Sequence, residues 1–133
     1  MMVDLRVDTA IVNRNSSIPN PMTPEELKNR TKKLGISTIR LLGHLPNNAA
    51  GRAIANQLVR SATSIGANYR AACRAKSDAD FVYKLKIVEE ETDETIYWLE
   101  VIKETSMVND EKLEVLRKEA NEVLSIIARP SKQ

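Results

Sequence analysis

Residues 53–72 read Ala53-Ile54-Ala55-Asn56-Gln57-Leu58-Val59-Arg60-Ser61-Ala62-Thr63-Ser64-Ile65-Gly66-Ala67-Asn68-Tyr69-Arg70-Ala71-Ala72. Ile54, Leu58, Ala62, Ile65, Tyr69 and Ala72 recur at steps of four and three, the spacing that gathers side chains on one face of an α-helix. Ala53, Ala55, Ser61, Ala62, Ser64, Gly66 and Ala67 are small. Small side chains let a neighbouring helix approach closely, so this helix is expected at the centre of a helical packing. It should span about 49–75, entered through a turn and cap at Pro46-Asn47-Asn48.

The pattern repeats on both sides of this stretch. Downstream, Ser77 is an N-cap, and Asp78 and Asp80 lie where the helix dipole favours negative charge. A helix over 78–105 then carries Phe81, Leu85, Val88, Thr92, Ile96, Leu99 and Ile102 on one face. Tyr83, Ile87, Tyr97, Trp98 and Val101 widen that face, which suggests contact with more than one partner. Val108, Asn109 and Asp110 begin a further helix, carried to about 128 by Leu113, Leu116, Ala120, Val123, Leu124 and Ile127 and stopped by Pro130. Upstream, Thr23 caps a helix with Pro24 at its first position. Glu26 completes a capping box, and Met22 with Leu27 supplies a hydrophobic staple. Leu27, Leu34, Ile39, Leu41, Leu42 and Leu45 form its apolar side to about 45, and Gly35 and Gly43 each weaken it by about 1 kcal/mol relative to alanine.

Four amphipathic helices joined by short turns predict an all-α fold, an antiparallel up-down-up-down four-helix bundle over 23–129. Residues 1–22 read as an N-terminal arm. In it Val3, Leu5 and Val7 alternate with Asp4, Arg6 and Asp8 before Asn15-Ser16-Ser17-Ile18-Pro19-Asn20-Pro21 interrupts regular structure. Two readings of the arm stand: a flexible extension, or a segment packed on a neighbouring molecule. Residues 130–133 are a short tail.

Bulk properties narrow the class. An apolar fraction of 42% supports one core, and 29% charged residues suit a water-exposed surface. No apolar run reaches the roughly 18 residues of a membrane span. The first residues lack the basic-then-apolar order and small-residue cleavage site of a secretory leader. Cys73 is the only cysteine, which excludes an internal disulfide. The expectation is a cytoplasmic protein with no membrane association.

Charge is distributed unevenly. Between Leu27 and Ser77 there is no aspartate or glutamate, against ten basic residues: Lys28, Arg30, Lys32, Lys33, Arg40, Arg52, Arg60, Arg70, Arg74 and Lys76. From Asp78 to Glu122 fourteen acidic residues face six basic ones. The halves either pair with each other or leave one free for an external polyanion. Arg60 is expected to form a structural ion pair with Glu91 or Glu94 across the second and third helices. Lys28, Arg30, Lys32 and Lys33 crowd the start of the first helix; Arg70, Arg74 and Lys76 crowd the end of the second. An up-down bundle brings these two places to the same end.

Catalytic and metal chemistry find little footing. Glu90 and Glu94 share a helix face and could share a metal or a proton, but a di-metal bundle needs Glu-x-x-His pairs, and the sole histidine, His44, lies outside any such motif. Ser61, Ser64 and Asn68 have no histidine or cysteine placed to activate a serine, so hydrogen bonds at a tight helix crossing are the better reading. Arg70 and Arg74 near Cys73 could lower its thiol pKa, yet a bystander cysteine is the simpler account. Trp98 and Tyr97 are read as core or intersubunit packing. No nucleophile–base set, metal motif or phosphate loop is present, so neither an enzyme nor a cofactor is expected.

The stretch Gln57-Leu58-Val59-Arg60-Ser61-Ala62-Thr63-Ser64-Ile65-Gly66-Ala67-Asn68 resembles a known family. So does Asp80-Phe81-Val82-Tyr83-Lys84-Leu85, followed by Glu91, Glu94-Thr95 and Tyr97-Trp98-Leu99. Together they look like the bacterial four-helix-bundle proteins encoded in 23S rRNA intervening sequences, also called the S23 ribosomal protein family, over about residues 28 to 128. The resemblance implies a four-helix bundle assembled as a ring-like homo-oligomer, typically a pentamer. It extends to the accessory protein of diversity-generating retroelements, which implies nucleic acid and a reverse transcriptase as partners.

A ring would repeat the basic end and concentrate positive potential on one rim, a surface that attracts phosphates without reading bases. The expected function is therefore a non-enzymatic, homo-oligomeric bundle that binds RNA or DNA through Lys28, Arg30, Lys32, Lys33, Arg70, Arg74 and Lys76. The alternative is a protein-interaction scaffold that recruits a nucleic-acid enzyme such as a reverse transcriptase.

Overall fold

The computed structural model describes residues 22–128. Four helices follow one another: α1 (Pro24–Leu42), α2 (Ala49–Cys73), α3 (Asp78–Glu104) and α4 (Glu111–Ala128), with no strand among the described residues. Each packs antiparallel to the next, and α4 returns beside α1 to close an up-down-up-down bundle. Apart from Met22, the arm expected over 1–22 lies outside the described residues, as does the tail 130–133.

The helix starts follow the local chemistry of their caps. Glu26 N–H donates to the Thr23 hydroxyl at 3.1 Å, and Thr23 N–H donates to the Glu26 carboxylate at 2.7 Å, a reciprocal capping box. Asn48 accepts from Gly51 N–H at 2.9 Å, and Ser77 accepts from Asp80 N–H at 3.1 Å. The first helix ends at Leu42, three residues short of expectation. Gly43 caps it, His44 and Leu45 bond back only three residues, and Pro46 has no N–H to donate.

The α3–α4 turn is a Schellman motif: Met107 N–H reaches the Ile102 carbonyl and Ser106 N–H the Lys103 carbonyl, both at 3.1 Å. Ser106 holds φ at 57°, a left-handed conformation that penalises any residue with a Cβ. Ser106→Gly should therefore stabilise the fold by about 0.5–1 kcal/mol in denaturant unfolding. An unchanged or lower midpoint would show that the serine relieves its own strain.

One core runs the length of the bundle, with Tyr69, Phe81, Leu27, Leu34, Leu41, Leu58, Ile65, Leu99 and Ile102 fully buried. The buried face of α1 is not the one expected. Leu27, Thr31, Leu34, Gly35, Thr38 and Leu41 fill it, while Ile39 is 48% exposed. Thr31 and Thr38 can sit there because their hydroxyls donate to the Leu27 and Leu34 carbonyls at 2.9 and 2.8 Å, leaving only methyl groups to the core. Gly35 and Gly66 explain the tightness of the α1–α2 crossing: a Cβ on Gly35 would stand 3.3 Å from the Ala62 carbonyl oxygen, and one on Gly66 3.2 Å from the Lys32 nitrogen. What glycine costs in helix propensity is offset by close backbone approach.

Candidate nucleic-acid interface

Some of the cations are paired with carboxylates of the bundle. Arg60 Nη2 donates to Glu94 at 2.6 Å, and its Nη1 lies 3.2 Å from Glu91, joining α2 to α3. Trp98 Nε1 donates to the same Glu94 at 3.2 Å and meets Tyr97 edge-to-face, with ring centroids 4.9 Å apart. Glu94 is therefore occupied by Arg60 and Trp98, whereas Glu90 is exposed. Arg60 chiefly, with Trp98 assisting against partial desolvation, holds the Glu94 carboxyl below its ordinary value. A depressed carboxylate contributes stability that is present above its unfolded pKa and lost as pH falls through the folded one. Glu94→Gln should thus lower Tm at neutral pH by no more than about 3 °C, since both partners are water-exposed. The difference from the parent should close as pH falls below the ordinary carboxylate range; a gap that persists there would mean the charge is not what matters.

Lys84 pairs with Asp80, Lys103 with Glu114, and Arg117 with Glu114. Polar groups on α2 are likewise consumed locally. Ser64 donates to the Arg60 carbonyl, and Asn68 to the Ser64 carbonyl. The Ser61 and Thr95 hydroxyls meet at 2.9 Å in the α2–α3 interface. The Tyr69 hydroxyl is buried with no hydrogen-bond partner among the described residues, and burial first, then the neighbouring Cys73 thiol, raises its pKa.

The candidate rim forms at the end where α1 begins and α2 finishes, but not all its expected members belong to it. Arg30 departs from the expectation. Its Nε and Nη2 donate to Glu119 at 2.6 and 3.0 Å, and Glu122 lies 3.3 Å away, so its guanidinium is engaged across α1 and α4 and held protonated chiefly by Glu119. Lys28 stands 3.5 Å from Glu25 in a loose surface pair. Lys76 is exposed; its backbone N–H donates to Asp80, whose carboxyl is held low by Lys84 first and by this bond second.

Lys32, Lys33, Arg70 and Arg74, like the side chain of Lys76, are exposed and meet no carboxylate among the described residues. Lys32 and Arg70 line the same small notch between α1 and α2. Lys33 points the other way, into a groove of about 900 Å³ between α1 and α4 that also touches Arg40, His44 and Lys112. Arg74 caps the end of α2. Sequence reasoning missed the carboxylates that claim Arg30, because Glu119 and Glu122 belong to the helix most distant in the chain. It also missed the notch, whose signal was Ile36 and Ile39 facing away from the Leu27–Leu34–Leu41 stripe.

The model of the family described as 23S rRNA-intervening sequence protein matches residues 25–129. The chain belongs to the 23S rRNA-intervening sequence protein family. A crystal structure of a protein of unknown function from the S23 ribosomal protein family of Bacteroides thetaiotaomicron is similar, with 33% identity and a TM-score of 0.73. The match covers 80% of this chain and 99% of that one. A comparison with curated proteins gave no match. Among the described residues of this family member, no helix is long and apolar enough to cross a membrane.

Proposed function

We propose that this chain is a non-enzymatic protein that assembles with copies of itself, as a pentameric ring on the family resemblance, and binds RNA or DNA through backbone phosphates. One observation carries the reading. Lys32 and Arg70 border one notch and Arg74 and Lys76 follow at the end of α2, all four exposed and without a carboxylate among the described residues, while Lys33, Arg40, Arg52, Lys86, Lys112 and Lys118 are likewise without one elsewhere on the bundle. Unspent cations at one end of a subunit are what a phosphate-binding rim requires, and ring symmetry would multiply them.

The test is fluorescence anisotropy with structured RNA and duplex DNA across a salt series, alongside light scattering of the free protein. The reading expects log affinity to fall linearly with log salt and a mass above that of one chain. Salt-insensitive binding, or a monomer at micromolar concentration, would count against it.

A scaffold that recruits a nucleic-acid enzyme such as a reverse transcriptase is the second reading. Its support is the outer surface of α3, where Tyr83 is 65% and Tyr97 55% exposed. Retention of a protein partner after nuclease treatment would favour it.

A further inference from the structure

Where α1 crosses α2, the two backbones are held together over Gly35 and Gly66. On the outer side of that crossing lies a notch of about 200 Å³, open to water. Ile36 and Ile39 wall it from α1, and Thr63 and Ala67 from α2. Both isoleucines are large apolar side chains left partly in water, at 40% and 48% exposure. Lys32 and Arg70 also border the notch, without carboxylate partners among the described residues.

We propose that this notch receives a single unpaired nucleobase while the phosphates on either side of it rest on Lys32 and Arg70. The inference rests on the nucleic-acid reading above and narrows it to a class of ligand: single-stranded segments, loops or bulges. The chemistry of the walls argues for it. An apolar notch of this size suits one flat heterocycle, whose faces lose water against isoleucine side chains. A leucine or phenylalanine from a protein would also fit the space. The unmatched cations beside it favour an occupant that carries an anion next to every ring, which each nucleotide does.

The walls also limit base readout, since they offer a base no hydroxyl donor. The Thr63 hydroxyl donates to the Val59 carbonyl at 2.7 Å and the Thr31 hydroxyl to the Leu27 carbonyl at 2.9 Å, so neither hydroxyl proton is free to read a base edge. The edges stay in the water outside. A base inside a duplex would first have to leave its stack, so duplexes should bind more weakly.

The experiment uses the full chain and fluorescein-labelled fifteen-nucleotide oligouridine against a blunt RNA duplex of the same length, at one moderate salt concentration. The expected result is about tenfold tighter binding of the single strand, the scale of removing one apolar side chain's worth of surface from water. Ala67→Leu, which fills the notch, and Ile36→Ser with Ile39→Ser, which removes its walls, should each abolish that preference while leaving duplex affinity within about twofold. A duplex that binds as well as the single strand, or notch variants that keep the preference, would overturn the inference and leave the broader reading standing. A change of assembly mass in these variants, with affinity unchanged, would make the notch a protein contact and overturn it as well. Absence of binding to either nucleic acid would instead sink the reading on which it rests.

Discussion

Replacing Arg70, Arg74 and Lys76 together with glutamate should reduce affinity for both RNA and DNA by at least about 100-fold at low salt and flatten the salt dependence by a slope of about 3. The slope is the diagnostic part. Each cation in contact with a phosphate releases close to one counterion, so three lost contacts remove nearly three from the exponent. The loss should be similar across sequences, because phosphate contacts position a nucleic acid without reading it. The fold should survive. All three side chains are exposed, and none forms a side-chain ion pair among the described residues. Their position at the end of α2 does favour positive charge, so reversal costs about 0.3–1 kcal/mol per residue in the last turn. A bundle of this size tolerates that. Circular dichroism with an unchanged helical spectrum and a modestly lowered Tm, together with the lost binding, is the expected pair of results. Undiminished affinity would place the nucleic-acid surface elsewhere, and lost helicity would require milder substitution to alanine before any conclusion about binding.

Much of the fold was legible because helices announce themselves twice, by periodicity and by caps. The stripe from Ile54 to Ala72 and the starts at Thr23, Asn48 and Ser77 needed no tertiary information, since the capping bonds join residues three apart. The face of α1 was misjudged for a physical reason. Hydropathy counts Ile39 as a core residue and Thr31 and Thr38 as surface, yet a threonine that donates to its own helix presents a methyl group to its neighbours. The candidate site divided along the same line. Arg60 lies where consecutive antiparallel helices must meet, so its reach to Glu91 and Glu94 could be read from charge and register. Arg30 could not be resolved that way. Its partners Glu119 and Glu122 sit on α4, and which side of α1 that helix closes against depends on packing rather than on any local signal.

Gly51→Ala should be the most damaging of the four glycine-to-alanine changes. Gly51 has ordinary negative φ, so its reason for being glycine is space and not backbone conformation. A Cβ there would lie 2.0 Å from the Pro46 carbonyl oxygen and 3.0 Å from its carbon. These are backbone atoms of the α1–α2 turn, which no side-chain rotation can clear. The same residue donates its N–H to Asn48 at 2.9 Å, the capping bond that starts α2. Moving the turn to admit a methyl group would strain or break that bond. Overpacking of this kind costs about 1–3 kcal/mol, and loss of an N-cap about 1 kcal/mol more. The expected loss is about 2–4 kcal/mol, a fall in Tm of roughly 10–15 °C. Gly43→Ala is the internal control. It also adds one methyl group to the same connection, but its nearest foreign atom, the Arg40 carbonyl oxygen, is 3.8 Å away and its φ is −64°. That substitution should be neutral or stabilise by up to about 1 kcal/mol, because alanine has fewer unfolded conformations to give up. Opposite signs for two glycines eight residues apart would locate the constraint in the approach of Pro46 to α2; equal losses would assign it to the flexibility of the turn.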